Sequence, residues 1–197
     1  MPRTNRLIVV DSAVHITCRG NNKQTLFHCE QDKYCYYGFL RDFKDENGVK
    51  IYHYCLMDNH VHFLTWIENG TRLARFMKQV NLAYFSYYAK NYGYCGHLFQ
   101  GRFASSIINN EQYLLRAGKY IELNPVRAGI VAFPEDYRYS SYSHYAHGRF
   151  DVLVTDDPLY TQLSSCLEER RRLYIERLID EQEFKQKKKI GGRPRKK

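Results

Sequence analysis

Ile51-Tyr52-His53-Tyr54-Cys55-Leu56-Met57-Asp58-Asn59-His60-Val61-His62-Phe63-Leu64-Thr65-Trp66-Ile67 is two apolar runs parted by one polar pair. Each run has strand length and is rich in β-branched and aromatic residues, and Asp-Asn is a turn-forming pair. Ile51 to Met57 and His60 to Ile67 are therefore predicted as two strands of a tight hairpin. Side chains at i and i+2 of a strand share a face. His60 and His62 thus project together, and Val61 points the other way, into a core.

Working outward, Leu7 to Thr17 reads as a strand, stopped by the turn cluster Arg19-Gly20-Asn21-Asn22. Between about His28 and Asp45 the apolar residues Tyr36, Phe39, Leu40 and Phe43 recur at helical spacing, and Asn47-Gly48 marks a turn. After the hairpin, Arg72 to Lys90 carries Leu73, Phe76, Val80, Ala83 and Tyr87 on one helical face. Phe103 to Ile108 is a strand, and Glu111 to Leu123 a helix with Asn110 as N-cap and Pro125 ending it. The order β-α-β-β-α-β-α is that of an α+β fold: a ferredoxin-like split βαβ with a mostly antiparallel sheet and helices packed on it. Tyr137 to His147 reads as a polar, aromatic loop, and Cys166 to Phe184 as a charged C-terminal helix. The expected division is a main domain over 1–150, a helical extension over 151–184 and a basic tail over 185–197.

The 197 residues suffice for a real core, and 44% hydrophobic content excludes a disordered chain. Tyrosine is over-used, with 18 copies; core filling accounts for most of them, and base stacking is the functional alternative. The net charge of +9 is uneven. Residues 182–197 hold eight Lys and Arg against Glu183, a net +7, which leaves +2 for the other 181 residues. A basic block of this kind binds polyanions, nucleic acid first. The six cysteines form no CxxC pair, so neither a zinc knuckle nor a disulfide framework is expected. No apolar run reaches the roughly 18 residues of a membrane span, and Leu7-Ile8-Val9-Val10 is too short for a signal peptide. The expected setting is cytoplasmic and nucleoid-associated, with no membrane partner.

Two imidazoles about 6–7 Å apart on one strand face can share a divalent ion. HxH alone is a weak signal among eight histidines; solvated or core-bound histidine is the alternative. The second polar cluster is Tyr120-Ile121-Glu122-Leu123-Asn124-Pro125. Residues i and i+4 share a helix face, so Tyr120 and Asn124 point the same way, and Asn124 can supply a neutral oxygen ligand. Because pre-proline residues avoid the α region, Asn124 is expected at the very last turn. Gly118 costs the helix about 1 kcal/mol relative to Ala, in exchange either for flexibility or for close packing. A free phenol is almost wholly protonated at neutral pH. A metal that polarises a phosphate and stabilises the leaving oxygen makes such a modest nucleophile adequate.

Four segments occur in order: His15-Ile16-Thr17-Cys18-Arg19-Gly20-Asn21, Tyr54 through Leu64, Gly96 through Phe103, and Tyr120-Ile121-Glu122-Leu123-Asn124-Pro125-Val126-Arg127-Ala128-Gly129. Together they resemble the single-tyrosine HUH transposases, most closely the REP-associated tyrosine transposases, over about residues 7 to 145. Asp58 stands where that family usually has Pro, a change a turn tolerates. The family's third ligand is often Gln; in this branch Asn is normal, which Asn124 fits. The resemblance implies that His60, His62 and Asn124 bind Mg²⁺ or Mn²⁺. It also implies that Tyr120 attacks a phosphate in single-stranded or hairpin DNA, leaving a 5′-phosphotyrosine and a 3′-OH that can rejoin strands. REP-like palindromes are the implied substrate class.

Arg19, Asn21, Lys78, Gln79, Gln100 and Arg102 lie in or beside these motifs and are candidate DNA contacts, with surface salt bridges as the alternative. Arg193 and Arg195, in a Gly-Arg-Pro context within the tail, are candidates for salt-sensitive phosphate binding. Two other readings compete. A hairpin-binding regulator without catalysis would use the same fold, and an RNA-binding ferredoxin-like domain would need exposed aromatics on its central strands and no metal. Monomer and homodimer remain open.

Overall fold

A computed structural model describes residues 10–177 of the chain. Strand β1 (Val10–Arg19) is followed by helix α1 (Glu30–Lys44), strands β2 (Val49–Met57) and β3 (His60–Asn69), helix α2 (Gly70–Tyr92), strand β4 (Ala104–Ile108) and helix α3 (Glu111–Glu122). The four strands form one sheet in the order β2-β3-β1-β4, every neighbouring pair antiparallel. This is the split βαβ arrangement, with the two long segments read as strands at its centre and in its hairpin. The strand and helix assignments agree with the sequence reading to within a few residues. Strand β1 runs two residues beyond Thr17, to Arg19, and the start of the predicted strand, residues 7–9, lies outside the described residues.

Parity along the strands divides the molecule into three layers. Val14, Ile16 and Cys18 of β1, Val61, Phe63 and Ile67 of β3, and Tyr54 and Leu56 of β2 face α1 and α2, meeting Tyr36, Leu40, Phe76, Val80 and Tyr84 in the main core. Side chains of the opposite parity, Leu64, Cys55 and Met57, meet Ile121, Leu114 and Ala117 of α3 on the other face. Burying each such large apolar side chain contributes about 1.5–3 kcal/mol, so α3 is held to its own face of the sheet. Most of the tyrosine is core. Tyr36, Tyr84 and Tyr145 have no solvent exposure, and each buried phenol finds an acceptor: Asn81 Oδ1 at 3.2 Å, the Leu26 carbonyl at 2.5 Å and the Tyr52 carbonyl at 2.7 Å.

Past α3 the chain departs from the expectation. Pro125 ends α3, but it also sits in the first turn of a short helix α4 (Asn124–Arg127), where a missing N–H is no loss. Asn124 therefore opens a second helix instead of ending the first. Tyr137 to His147 is not a loop throughout, since Tyr142–His147 forms helix α5 and ends at Gly148 in the left-handed region. Tyr142, Tyr145 and Ala146 are buried, so packing overrides the weak helix propensity of aromatic and Ser residues. Helix α6 (Pro158–Thr161) and a helix over 167–177 (α7) follow. This part of the chain lies along β2. The Leu56 and Ser141 amides donate to the Tyr139 and Tyr54 carbonyls at 2.9 and 3.1 Å, and the Thr155 amide to Ile51 at 2.8 Å. Among the described residues no helix is long and apolar enough to cross a membrane.

Candidate active site

The face of the sheet that carries α3 also carries the paired histidines. β1 and β3 are in register with Thr17 opposite His62 and Arg19 opposite His60. His15, Thr17, His60 and His62 consequently emerge on one surface, next to the C-terminal half of α3. The rings of His60 and His62 lie 4.9 Å apart, nearly perpendicular, and the Tyr120 ring stands edge-on to His62 at 5.6 Å. Tyr120 keeps 41% of its surface exposed, unlike most of the tyrosines described above, so its phenol is accessible to a large substrate.

A third imidazole, which the sequence reading quoted in a motif but gave no role, completes the cluster. His15 stacks on His62 at 5.3 Å and stands edge-on to Tyr120 at 6.0 Å. Its Nε2 is 3.1 Å from His62 Nδ1, and Thr17 Oγ1 is 3.2 Å from the same atom. His60 Nδ1 lies 2.6 Å from Asn59 Oδ1; since that oxygen only accepts, the His60 nitrogen donates and Nε2 keeps the lone pair. If His62 Nδ1 likewise donates to Thr17 or His15, its Nε2 is also a lone-pair donor. Burial, reinforced by the charges of His60, His15 and Arg19, pushes the His62 pKa down to about 3. Burial and the Arg19 guanidinium lower that of His60. Both rings are therefore neutral at physiological pH, the protonation state a metal ligand requires.

Asn124 is 8% exposed. Its Nδ2 donates to the Tyr120 carbonyl at 2.8 Å and to the Ile121 carbonyl at 3.4 Å, closing the end of α3. The carboxamide oxygen is the atom of that side chain with ligand capacity. Among the described residues no group of three or more His, Cys, Asp or Glu side chains is placed to hold an ion. A site on His60 and His62 would thus be completed by an amide or substrate oxygen, and the two neutral imidazoles with held Nδ1 atoms fit that role.

Around this cluster, the Arg127 guanidinium lies over the Tyr120 ring at 4.8 Å, with Nη1 donating to the Tyr120 carbonyl at 3.3 Å. Arg19, at the end of β1, and Asn21, Gln100 and Arg102, on the adjoining loops, are exposed. Three backbone bonds tie these loops together: Asn21 N to Leu98 O, Gln100 N to Arg19 O and Gly20 N to Asn59 O. Gly20 is required there, because a Cβ would collide with the Gln24 carbonyl oxygen. Lys78 and Gln79 lie elsewhere. They belong to α2, on the opposite face of the sheet, where Gln79 binds Asn47 at 2.8 Å and Glu46 at 2.5 Å. Arg193 and Arg195 lie outside the described residues.

The Gly118 question has a geometric answer. A Cβ at that position would stand 2.7 Å from Nε2 of His53, itself buried beneath α3, so close packing accounts for the glycine.

The family model "Transposase IS200 like" matches residues 8–124. A solved structure of a REP-associated tyrosine transposase bound to a REP hairpin superposes with a TM-score of 0.63, covering 80% of this chain and 93% of that one at 18% identity. At that identity the likeness is one of fold. A Deinococcus radiodurans R1 protein solved as a candidate transposase covers 61% of this chain and 96% of its own at 17% identity, with a TM-score of 0.42. No curated protein matches the sequence. The match spans more than half of the chain, from β1 through the histidine hairpin to Asn124, and the chain belongs to the IS200-like transposase family.

Proposed function

We propose that this chain cuts and rejoins single-stranded, hairpin-bearing DNA through a 5′-phosphotyrosine at Tyr120. The observation that carries the reading is the placement of an exposed tyrosine edge-on to His62, with His60 beside it, all on one face of the sheet. The Tyr120 oxygen attacks phosphorus, the bond from phosphorus to the 3′ oxygen breaks, and the phenolic proton passes to that oxygen. One ester replaces another, so the reverse step can join a 3′-OH without ATP.

His60, His62 and Asn124 are the residues that would hold Mg²⁺ or Mn²⁺, with Thr17 and His15 orienting the ring of His62. When bound, the ion supplies Lewis-acid polarisation of the phosphate and stabilises the leaving oxygen. Arg127 fixes the ring of Tyr120 and adds positive charge beside an incoming phosphate. Arg19, Asn21, Gln100 and Arg102 would hold the flanking strand. The structural neighbour in complex with a REP hairpin makes hairpin DNA of that kind the substrate to try first.

The test uses hairpin oligonucleotides labelled at either end, with Mn²⁺ or with EDTA, resolved on a denaturing gel. A metal-dependent adduct that carries only the 3′-side fragment, and that is lost in Tyr120→Phe, is the expected result. Hairpin binding with no adduct under any ion would instead make the protein a DNA-binding regulator.

A further inference from the structure

Beneath α3, on the side away from solvent, polar side chains from separate stretches of chain meet. His53 of β2 has Glu122 Oε1 2.9 Å from Nδ1 and Asp157 Oδ2 3.2 Å from Nε2. Carboxylates only accept, so both ring nitrogens donate and His53 is an imidazolium between two anions. Glu122 also accepts from Ser141 Oγ at 2.6 Å and from the Tyr174 hydroxyl at 2.5 Å. His53, Glu122, Ser141 and Asp157 are all buried to 3% exposure or less. A buried network in which each group is paired has one low-energy arrangement, and is rigid for that reason.

The location of this network matters more than its strength. Gly118 and Glu122 are four residues apart, on one face of α3, and both touch His53. Tyr120 lies midway, roughly 200° around the helix from each, and so on the opposite face. The seat beneath the helix therefore sets the height and rotation of the tyrosine above it. Three of the side chains that build the seat, Ser141, Asp157 and Tyr174, come from beyond residue 124, where the family match ends. A further tie to the same region is the Lys119 ammonium, which donates to the Arg177 carbonyl at 2.6 Å. Leu123 is buried with Tyr142, Tyr145, Tyr160 and Tyr174 in a satellite core.

We propose that Asp157 and Tyr174, acting through His53 and Glu122, are positioning residues for Tyr120, so that the segment 157–177 is part of the catalytic unit. The proposal rests on Tyr120 being the nucleophile, and its test separates the two. Tyr174→Phe keeps the ring against Tyr145 and Tyr160 and removes only the hydroxyl. Asp157→Asn keeps a side-chain oxygen for the Leu159 amide that Asp157 now caps at 2.8 Å, and removes the charge facing His53. For each full-length variant, three quantities are measured: the single-turnover rate of adduct formation at saturating hairpin DNA with Mn²⁺, the Kd for that hairpin in EDTA, and the thermal midpoint.

The expected result is adduct formation slowed about 10-fold or more, the scale of a small misplacement of a reacting group. Hairpin Kd should stay within about twofold, with the protein fully folded at the assay temperature. Unchanged rates in both variants would overturn the proposal. So would rate and binding falling together with the folded fraction, which would make the network a fold element only. Tyr120→Phe runs alongside: an adduct that survives it, or a wild type that forms none, overturns the nucleophile reading and the positioning role with it.

Discussion

His15 and His62 stack at 5.3 Å with a nitrogen–nitrogen distance of 3.1 Å between them, and the two residues belong to strands paired antiparallel at the centre of the sheet. The outer imidazole fixes the inner one. Groups that orient a ligand ring typically account for about 10–100-fold in metal affinity. His15→Leu is expected to weaken Mn²⁺ binding by about that factor, read by titration calorimetry without DNA. His60→Ala and His62→Ala should remove measurable binding. Equal affinity in His15→Leu would show that Thr17 alone suffices.

Gly118→Ala sets two effects of opposite sign against each other. Alanine gains about 1 kcal/mol of helix propensity over glycine, while its Cβ would press on the buried His53 ring at 2.7 Å. Overpacking a filled interior costs about 1–3 kcal/mol, so the variant should be destabilised in urea. A more stable variant would mean that His53 can move away at little cost, contrary to its two carboxylate bonds.

The His53 network also makes stability depend on pH. Burial by itself would lower the His53 pKa, but the hydrogen bonds and charges of Asp157 and Glu122 outweigh it and raise the value to about 9. Tyr145 stacks on the His53 ring at 4.5 Å, and the Tyr174 hydroxyl donates to Glu122. An unfolded imidazole titrates near 6.5, so the folded protein binds the extra proton between the two values. The stabilisation is complete below about pH 6.5 and is lost as pH rises through 9, up to about 3 kcal/mol in all. Urea unfolding from pH 6 to about 9.5 should show this decline in the wild type, relative to His53→Gln. Parallel curves for the two proteins would remove His53 as its source.

Arg19 and Lys78 were alike as candidates in the sequence but lie on different faces of the sheet. Arg19→Ala should weaken hairpin binding and reduce the slope of log affinity against log salt by about 1, as expected for one phosphate contact. Lys78→Ala should leave both unchanged. Fluorescence anisotropy over a salt series distinguishes them, and a reversal of the two effects would place the DNA on α2.

The sheet, its two covering helices and the histidine pair were legible because each is written in local sequence: apolar runs parted by Asp58-Asn59 in β2 and β3, three- and four-residue spacing in α1 and α2. What stayed hidden depends on register and distance. His15 becomes a partner of His62 only when β1 and β3 align with Thr17 opposite His62, and no local pattern states that alignment. Glu122 and His53 read as ordinary polar residues within apolar runs; their partners Asp157 and Tyr174 stand far along the chain, and buried ion pairs leave no periodic trace. Tyr142–His147 was missed because its helix is imposed by burial of Tyr142 and Tyr145, against the propensity of its residues. Pro125 was read correctly as a stop, but the fact that it equally starts the next helix depends on the turn at Leu123.

The two rims of the sheet differ in a way that bears on how the molecule behaves in a crowd. Along β2 the later chain supplies hydrogen-bond partners from Tyr139, Ser141 and Thr155, so that rim is already occupied. Along β4, exposed at Ala104, Ser105, Ser106 and Ile107, no described residue pairs on the outer side. A ribbon that grows strand by strand needs a free rim at each end of every unit. Among the described residues one rim is closed by the chain itself and the other is open to a single added strand, so growth into a fibre would require residues 139–155 to peel away from β2.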